Sequence, residues 1–358
     1  MISGFAKYAG GVENVVNELT SFLVSRKAKV TIFGRYDMDF TEASQNCKTV
    51  GVRPYDILPG RLRFAHYDKY SYSLKVWRKI KGEGPFDIIH GHGDNCFFPS
   101  LFRDDTPFIM TFHGTLRKNM PENSPRLLPV YYTEKVAALK CDIAIAVSKA
   151  VKNELTTFYG VDPNKVKVIY NGVDVDNFVP QNKIQARKKL RLPANNKYGI
   201  WVGGDPKRKF LSTAIKAIKD FKDLRLLVVG TSGKTSKKTI FLGRVSENDL
   251  ISAYNAADFL IFPTTYEGFP IVPLEAMACG VPIIVSEESN VREIIKDGVH
   301  GFVVRDKNPL SYKDRIELLL NDAEMLNDMS IQCRKLAVNY NWKKQAQKYA
   351  EIYERLMT

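Results

Sequence analysis

Between Asp258 and Ser286 the chain spells out an alternation that few folds accommodate. Asp258-Phe-Leu-Ile-Phe262 is a short apolar run stopped by Pro263; a polar loop and a stretch of helical spacing follow, then Gly280 and a second apolar run, Val281-Pro-Ile-Ile-Val-Ser286. Apolar runs this short suit buried parallel strands, and a glycine just past a periodic segment ends a helix. The stretch predicts a β-loop-α-β unit, the building block of open α/β sheets. Two carboxylates, Glu267 and Glu275, flank Gly268-Phe269-Pro270 at a spacing of eight. The loop holding Glu267 falls at the carboxyl end of a strand, where open α/β sheets bind ligands.

That placement has chemical consequences. Pro270 suits the first helical turn, because its missing N–H would have had no intrahelical partner there. The amides near Gly268, Phe269 and Ile271 then point outward with the positive end of the helix dipole behind them, a site for phosphate or a polar sugar edge. Glu275 lies on the face of Ile271. A carboxylate there can hold two vicinal hydroxyls, as acidic residues hold ribose in dinucleotide sites. The plain alternative is a capping acid and a helix-surface acid with no ligand.

The whole run from Glu267 to Ser286 closely resembles, without a gap, the donor-site motif of family-4 glycosyltransferases within glycosyl transferases group 1. The resemblance implies a retaining, nucleotide-sugar-dependent enzyme of GT-B fold: α/β, with two Rossmann-like domains whose parallel sheets face a central cleft. It also implies that Glu267, with Gly268, Phe269, Pro270 and Ile271, holds the donor sugar and that Glu275 holds the nucleotide ribose.

A length of 358 residues fits two domains of ordinary size. The formal charge of +14 points to anionic partners: nucleotide phosphates, an acidic lipid surface or nucleic acid. Five scattered cysteines, never in CxxC spacing, fit a reduced cytosolic chain better than a disulfide framework or a zinc site. No apolar run approaches the roughly 20 residues that span a bilayer, and no secretory leader is read. The expected location is cytoplasmic, with a peripheral place on the inner membrane face.

Met1-Ile-Ser-Gly reads like the end of a first strand whose beginning is absent. Gly10-Gly11 is then an ordinary tight turn or, by the resemblance, the loop beside the donor diphosphate. Helical spacing runs from Val12 to Ser25, and Lys29–Phe33 reads as the next strand. Residues 52–81 are basic and aromatic, with Arg53, Arg61, Arg63, Phe64, Tyr67, Tyr70, Tyr72, Trp77, Arg78, Lys79 and Lys81. The segment from Lys69 to Lys81 predicts a helix that either lies on an anionic membrane or packs Leu74 and Trp77 on its own domain.

Three further strands are read at 86–90, 107–112 and 142–147, each ending on a polar loop. His90 and His92 lack a third ligand at useful spacing, so no metal site is expected; they are left as acceptor-cleft residues. The resemblance gives His113, in Thr111-Phe-His-Gly114, a contact with the donor sugar and diphosphate. Lys165–Asp174 resembles the strand and turn that close the first domain, and the polar stretch 181–197 the connection to the second. The boundaries follow as 1–180 for the acceptor side, 181–340 for nucleotide-sugar binding, and 341–358 for a last helix crossing back.

The second domain opens with Tyr198–Val202 and the loop Gly203-Gly-Asp-Pro-Lys-Arg-Lys209. The family carries an arginine where this chain has Gly204, and its lysine matches Lys209; Lys207 or Arg208 is the substitute for the absent charge. One charged hydrogen bond to phosphate is worth roughly 1.5–3 kcal/mol. Thr231-Ser-Gly-Lys-Thr235 is no P-loop, since that motif would need glycine where Val228 stands. Ile240–Val245 resembles the family's strand end at the nucleotide base, which implies that backbone groups at Gly243 and Val245 pair with the base.

The expected function is retaining glycosyl transfer from a nucleoside diphosphate sugar to a lipid-linked or saccharide acceptor, with no cofactor, metal or nucleic acid. His113, Glu267 and Lys209 are expected to be catalytic. Gly10, Gly11, Gly203, Arg208, Lys209, Gly243, Val245, Glu267–Ile271 and Glu275 are expected to bind the donor. The rivals are a GT-B nucleotide-sugar epimerase and a non-catalytic basic protein that binds nucleic acid or membrane.

Overall fold

Every strand pairing in the computed structural model is parallel, as uniformly apolar strands joined by helices require. The structure describes residues 1–3, 11–35, 45–53, 67–93, 96–119 and 127–358. These divide into two compact units, residues 1–171 with 343–358, and residues 172–342.

The first unit contains β1 (Ile2–Ser3), β2 (Val30–Arg35), β3 (Cys47–Val52), β4 (Ile89–His92), β5 (Phe108–Phe112), β6 (Ile143–Ala146) and β7 (Val166–Val168). Their order is β3-β2-β1-β4-β5-β6-β7. Central β5 is buried at every position, whereas edge strand β3 alternates toward solvent. A 15-residue helix, Gly11–Ser25, covers the sheet with Val15, Val16 and Leu19 buried. The C-terminal helix, Trp342–Met357, adds Ala346, Tyr349 and Tyr353 to a core with Leu19, Ile109, Ile145 and Ile169.

The second unit contains β8 (Lys197–Val202), β9 (Leu224–Val229), β10 (Thr239–Gly243), β11 (Phe259–Phe262), β12 (Ile283–Ser286) and β13 (Gly301–Val304), in the order β10-β9-β8-β11-β12-β13. The chain winds one way from β8 and the other way from β11. The neighbouring pair β8 and β11 is therefore the topological switch point, whose carboxyl edge opens a crevice for ligands.

Capping explains the helix boundaries. Ser246, Asn308 and Asp322 each accept a first-turn amide, and Pro309 occupies the first turn of its helix. The helix Ile271–Ala278 ends in a Schellman motif: Gly280 at φ 72° donates to Met277 O, and Val281 donates to Ala276 O.

Several expectations change. Pro270 stands at the cap in extended backbone (ψ 139°) rather than in the first turn, and the helix begins at Ile271. The stretch 181–197 is more than a connection. Its helix Lys183–Lys189 carries Arg187 and Lys183 onto the buried carboxylate of Asp258, at 3.0 and 2.8 Å. Residues 172–180 pack on the second unit, where Arg334 donates to the carbonyls of Val175, Phe178 and Ala278.

Candidate active site

The loop after β8 and the loop after β11 meet at the switch point. Thr265 N donates to Arg208 O at 3.2 Å, tying the two loops together. Trp201 Nε1 donates to Lys209 O at 2.9 Å, and Asp205 Oδ1 accepts from the amides of Lys207 and Arg208 at 3.0 Å. Phe210, next in line, adopts φ 37°, a left-handed conformation that costs a non-glycine residue energy and marks a constrained turn. A Cβ at Gly203 would stand 2.6 Å from Lys209 Cδ and 3.0 Å from the Trp201 ring, so a larger residue there would displace the lysine.

Two cations converge on one carboxylate. Arg208 Nη1 lies 3.0 Å and Lys209 Nζ 3.5 Å from Glu267 Oε1. Arg208 also donates to Tyr266 O at 3.1 Å. Neither contact with Glu267 has hydrogen-bond alignment, and Glu267 Oε1 is buried without a hydrogen-bond partner. Lys209 Nζ sits 4.8 Å from the centroid of the Phe262 ring, which backs it from below. Gly204 faces open space: a Cβ there would meet nothing within 4 Å. Of the two cations expected to make up for Gly204, Lys207 and Arg208, it is Arg208 that has an ion pair with Glu267.

Glu275 lies on the helix behind this loop and is buried. Tyr254 Oη donates to its Oε2 at 2.7 Å. Burial is the larger influence and pushes the Glu275 carboxyl up to about 7, against the Tyr254 hydrogen bond; nearby Glu247 adds to the rise and Lys209 opposes it. The helix carrying Glu275 begins at Ile271, and its cap residue, Pro270, has no side-chain oxygen to cap the first turn. Its leading amides therefore face the same crevice as Lys209 and Arg208.

Gly203, Arg208, Lys209, Glu267–Ile271 and Glu275 are thus gathered at the carboxyl edge of β8 and β11. Gly243 and Val245 stand farther along that edge, beyond β9. Gly230 N donates to Gly243 O at 2.7 Å. Sequence reasoning missed Tyr254, whose position looks like any apolar helix site, and Phe210, whose backbone angle leaves no trace in composition.

In the first unit, His113 follows β5 and Gly11 opens the first described helix, while Gly10 lies outside the described residues. His92 Nδ1 lies 3.2 Å from His113 Nε2 with the rings stacked. Burial lowers His113 to about 4, so its ring is neutral at pH 7. His90 and His92 are strand residues of β4, both buried, rather than cleft residues. His90 hydrogen-bonds Tyr353 Oη at 2.6 Å and Thr111 Oγ1 at 2.8 Å. Among the described residues no group of three or more His, Cys, Asp or Glu could hold a metal ion.

Arg61, Arg63 and Phe64 of the basic aromatic stretch lie outside the described residues. Its helix spans Tyr67–Glu83. Trp77 is half-buried, donates to Phe102 O at 2.9 Å and takes Lys81 over its face at 4.9 Å, while Tyr70 donates to Pro129 O at 3.2 Å. Both aromatics therefore pack on their own unit, whereas Arg78, Lys79 and Lys81 are exposed. No described helix is long and apolar enough to cross a membrane.

Two all-parallel sheets of this order, the second with a cationic loop and two acids at its switch point, set the frame for comparison with known proteins. The family described as glycosyl transferases group 1 matches residues 182–336, and glycosyltransferase family 4 matches residues 9–177. An uncharacterised glycosyltransferase of Methanocaldococcus jannaschii is 29% identical, the match covering 99% of this chain and 97% of the relative. A D-inositol 3-phosphate glycosyltransferase of Xylanimonas cellulosilytica is 25% identical, over 96% of this chain and 91% of that one. Among solved structures, sucrose-phosphate synthase from Thermosynechococcus elongatus superposes with a TM-score of 0.85 at 22% identity, covering 99% and 98% of the two chains. Anabaena HepE in complex with UDP-glucose gives 0.79 at 18% identity, covering 99% and 98%. The chain is a group-1 glycosyltransferase of GT-B fold, and it is a transferase enzyme.

Proposed function

We propose that this glycosyltransferase moves a sugar from a nucleoside diphosphate sugar to a saccharide or lipid-linked acceptor, with retention of anomeric configuration and without a metal ion. The observation that carries the reading is the convergence of Arg208 and Lys209 on Glu267 at the mouth of an uncapped helix that also bears Glu275. Cations and helix amides stabilise a departing diphosphate, and a carboxylate that lacks a hydrogen-bond donor is ready to accept from a sugar hydroxyl. Glu275 accepts from the ribose hydroxyls through the oxygen face that Tyr254 leaves open. For His113 the proposal is a neutral imidazole that hydrogen-bonds the donor.

In the transfer itself the bond from the anomeric carbon to the diphosphate oxygen breaks, and the acceptor oxygen bonds to that carbon on the same face. The acceptor proton passes to the leaving phosphate, so no separate base is needed. Relatives crystallised with UDP and UDP-glucose make uridine nucleotides the first donors to test. The deciding experiment incubates the protein with UDP-, ADP- and GDP-hexoses, with and without saccharide acceptors, and follows nucleoside diphosphate release and product anomer by NMR. Release that requires acceptor, with a retained anomer, is expected. Release or sugar rearrangement without acceptor would favour an epimerase, and an inverted anomer would overturn the retaining mechanism.

A lipid-linked acceptor is favoured by one surface observation. Phe102 is 50% and Leu101 36% exposed, and Phe102 packs on Trp77 within the helix that displays Arg78, Lys79 and Lys81. Each such charge near an anionic surface is worth about 1 kcal/mol. Co-sedimentation with anionic but not neutral vesicles is expected, weakened in an Arg78→Glu, Lys79→Glu variant. Equal pelleting with both vesicle types would leave a soluble acceptor.

A further inference from the structure

We propose that Asn290, with Ser289 beside it, is a specificity-determining contact for a ring hydroxyl of the donor sugar, an inference that rests on the donor-site reading of Glu267. Five buried polar atoms at the carboxyl edge of β11 and β12 have no hydrogen-bond partner: Thr264 Oγ1, Glu267 Oε1, which has only its two ion pairs, Glu288 Oε2, Ser289 Oγ and Asn290 Nδ2. Thr264 and Ser289 are 0% exposed and Asn290 is 5% exposed. Buried polar groups are seldom left unpaired, and where several gather, a ligand or an ordered water completes them.

The backbone brings these residues together. Glu267 and Ser289 form an isolated parallel bridge, in which Asn290 N donates to Glu267 O at 3.3 Å and Glu267 N donates to Glu288 O at 3.4 Å. Thr264 is joined to the end of β12, its amide donating to Ser286 Oγ at 3.0 Å and its carbonyl accepting from that hydroxyl at 3.2 Å. The loop after β12, which the sequence motif does not reach, thus runs alongside the loop that carries Glu267.

The donor and acceptor balance identifies the guest. An ionised carboxylate only accepts, the Asn290 Nδ2 group only donates, and the two hydroxyls do either. A phosphate placed among these atoms would meet the carboxylate of Glu267. A sugar hydroxyl meets both needs at once, donating to Glu267 and accepting from Asn290 Nδ2. The side chain of Glu267 is 16% exposed, while its Oε1 is covered by Arg208 and Lys209. A donor lacking that hydroxyl would leave the same polar atoms unanswered, the arrangement that gives strong discrimination.

The test compares two ligands on the full chain. Calorimetry is run with the best-bound hexose conjugate among UDP-, ADP- and GDP-hexoses, and with its nucleoside diphosphate alone, on the parent, Asn290→Ala, Asn290→Asp and Ser289→Ala. Thermal melting reports folding, and Asn290→Asp, nearly identical in shape, guards against a collapsed loop. For Asn290→Ala, affinity for the diphosphate is expected to stay within twofold while affinity for the conjugate falls about five- to tenfold. Asn290→Asp should lose more, because it sets a second carboxylate beside Glu267. Equal weakening of both ligands, or an unchanged ratio between them, would overturn the inference and leave Asn290 as support for the loop or for a trapped water. A parent that binds no nucleoside diphosphate and no conjugate would sink the donor-site reading itself.

Discussion

Glu275 shows how a single buried contact sets the behaviour of a site residue. Burial pushes its carboxyl up to about 7, and the Tyr254 hydroxyl at 2.7 Å is what favours its ionised form. Only the carboxylate accepts from both ribose hydroxyls, so nucleotide affinity should rise as pH increases through 7 and level off above it. Folding responds with the opposite sign: a folded-state value above the ordinary one means this group's stability is intact below about 4.5 and is lost as pH rises through 7. In Tyr254→Phe the binding midpoint should move alkaline by about one pH unit or more, since a hydrogen bond to a charge is worth roughly that much. An unshifted profile in fluorescence titrations from pH 5 to 9 would count against this. Glu267 is held only by ion pairs at a partly open loop, which contribute little to folding. Glu267→Ala should therefore cut transfer by about a hundredfold or more while the melting temperature stays within a degree or two; intact turnover would remove it from the site. With Arg208 and Lys209 supplying positive charge, turnover should persist in excess chelator, and activity restored only by magnesium or manganese would refute that.

At the level of elements, the loop after β8 is the informative one. Its shape is set by Asp205 on two amides, by Trp201 Nε1 on Lys209 O, and by Gly203, none of which involves Gly204. Gly204→Arg should therefore fold normally and, by adding a second guanidinium at the crevice, tighten nucleoside diphosphate binding by about tenfold. Isothermal titration of both proteins checks this; weaker binding would mean that Arg208 already fills the space. The helix Tyr67–Glu83 offers the opposite lesson. Its period of apolar and basic residues was plain in the sequence, but a periodic face cannot tell a lipid surface from a neighbouring helix, and it is Phe102 that receives Trp77.

On the scale of the whole molecule, the chain leaves its first unit after Asn171 and returns at Lys343, so the C-terminal helix completes a core begun more than three hundred residues earlier. Truncation after Trp342 would expose Leu19, Ile109, Ile145 and Ile169 and strip His90 of its Tyr353 partner. Burying the rings of Tyr349 and Tyr353 is worth several kcal/mol, about 1.5–3 each. Calorimetry of the truncated chain should show the first unit melting early or already unfolded, with the second unit retained. A single unchanged transition would mean that the helix is dispensable.

The sequence by itself determined most strands of both sheets, though not the edge strands β3 and β13, together with the helix and acids between Asp258 and Ser286 and the cationic loop at Lys209, because apolar periodicity, glycine stops and residue spacing are local signals. Tertiary structure decided which of those residues meet. Parallel strands pair across long intervals of chain, so the neighbourhood of β8 with β11 and of β11 with β12 cannot be counted off along the sequence. That neighbourhood puts Arg208 on Glu267, and sets Asn290 and Ser289 alongside. Packing between elements, equally non-local, brings Tyr254 to Glu275 and turns His90 inward to Tyr353 and Thr111. Local chemistry chose the groups, and the order of strands chose their partners.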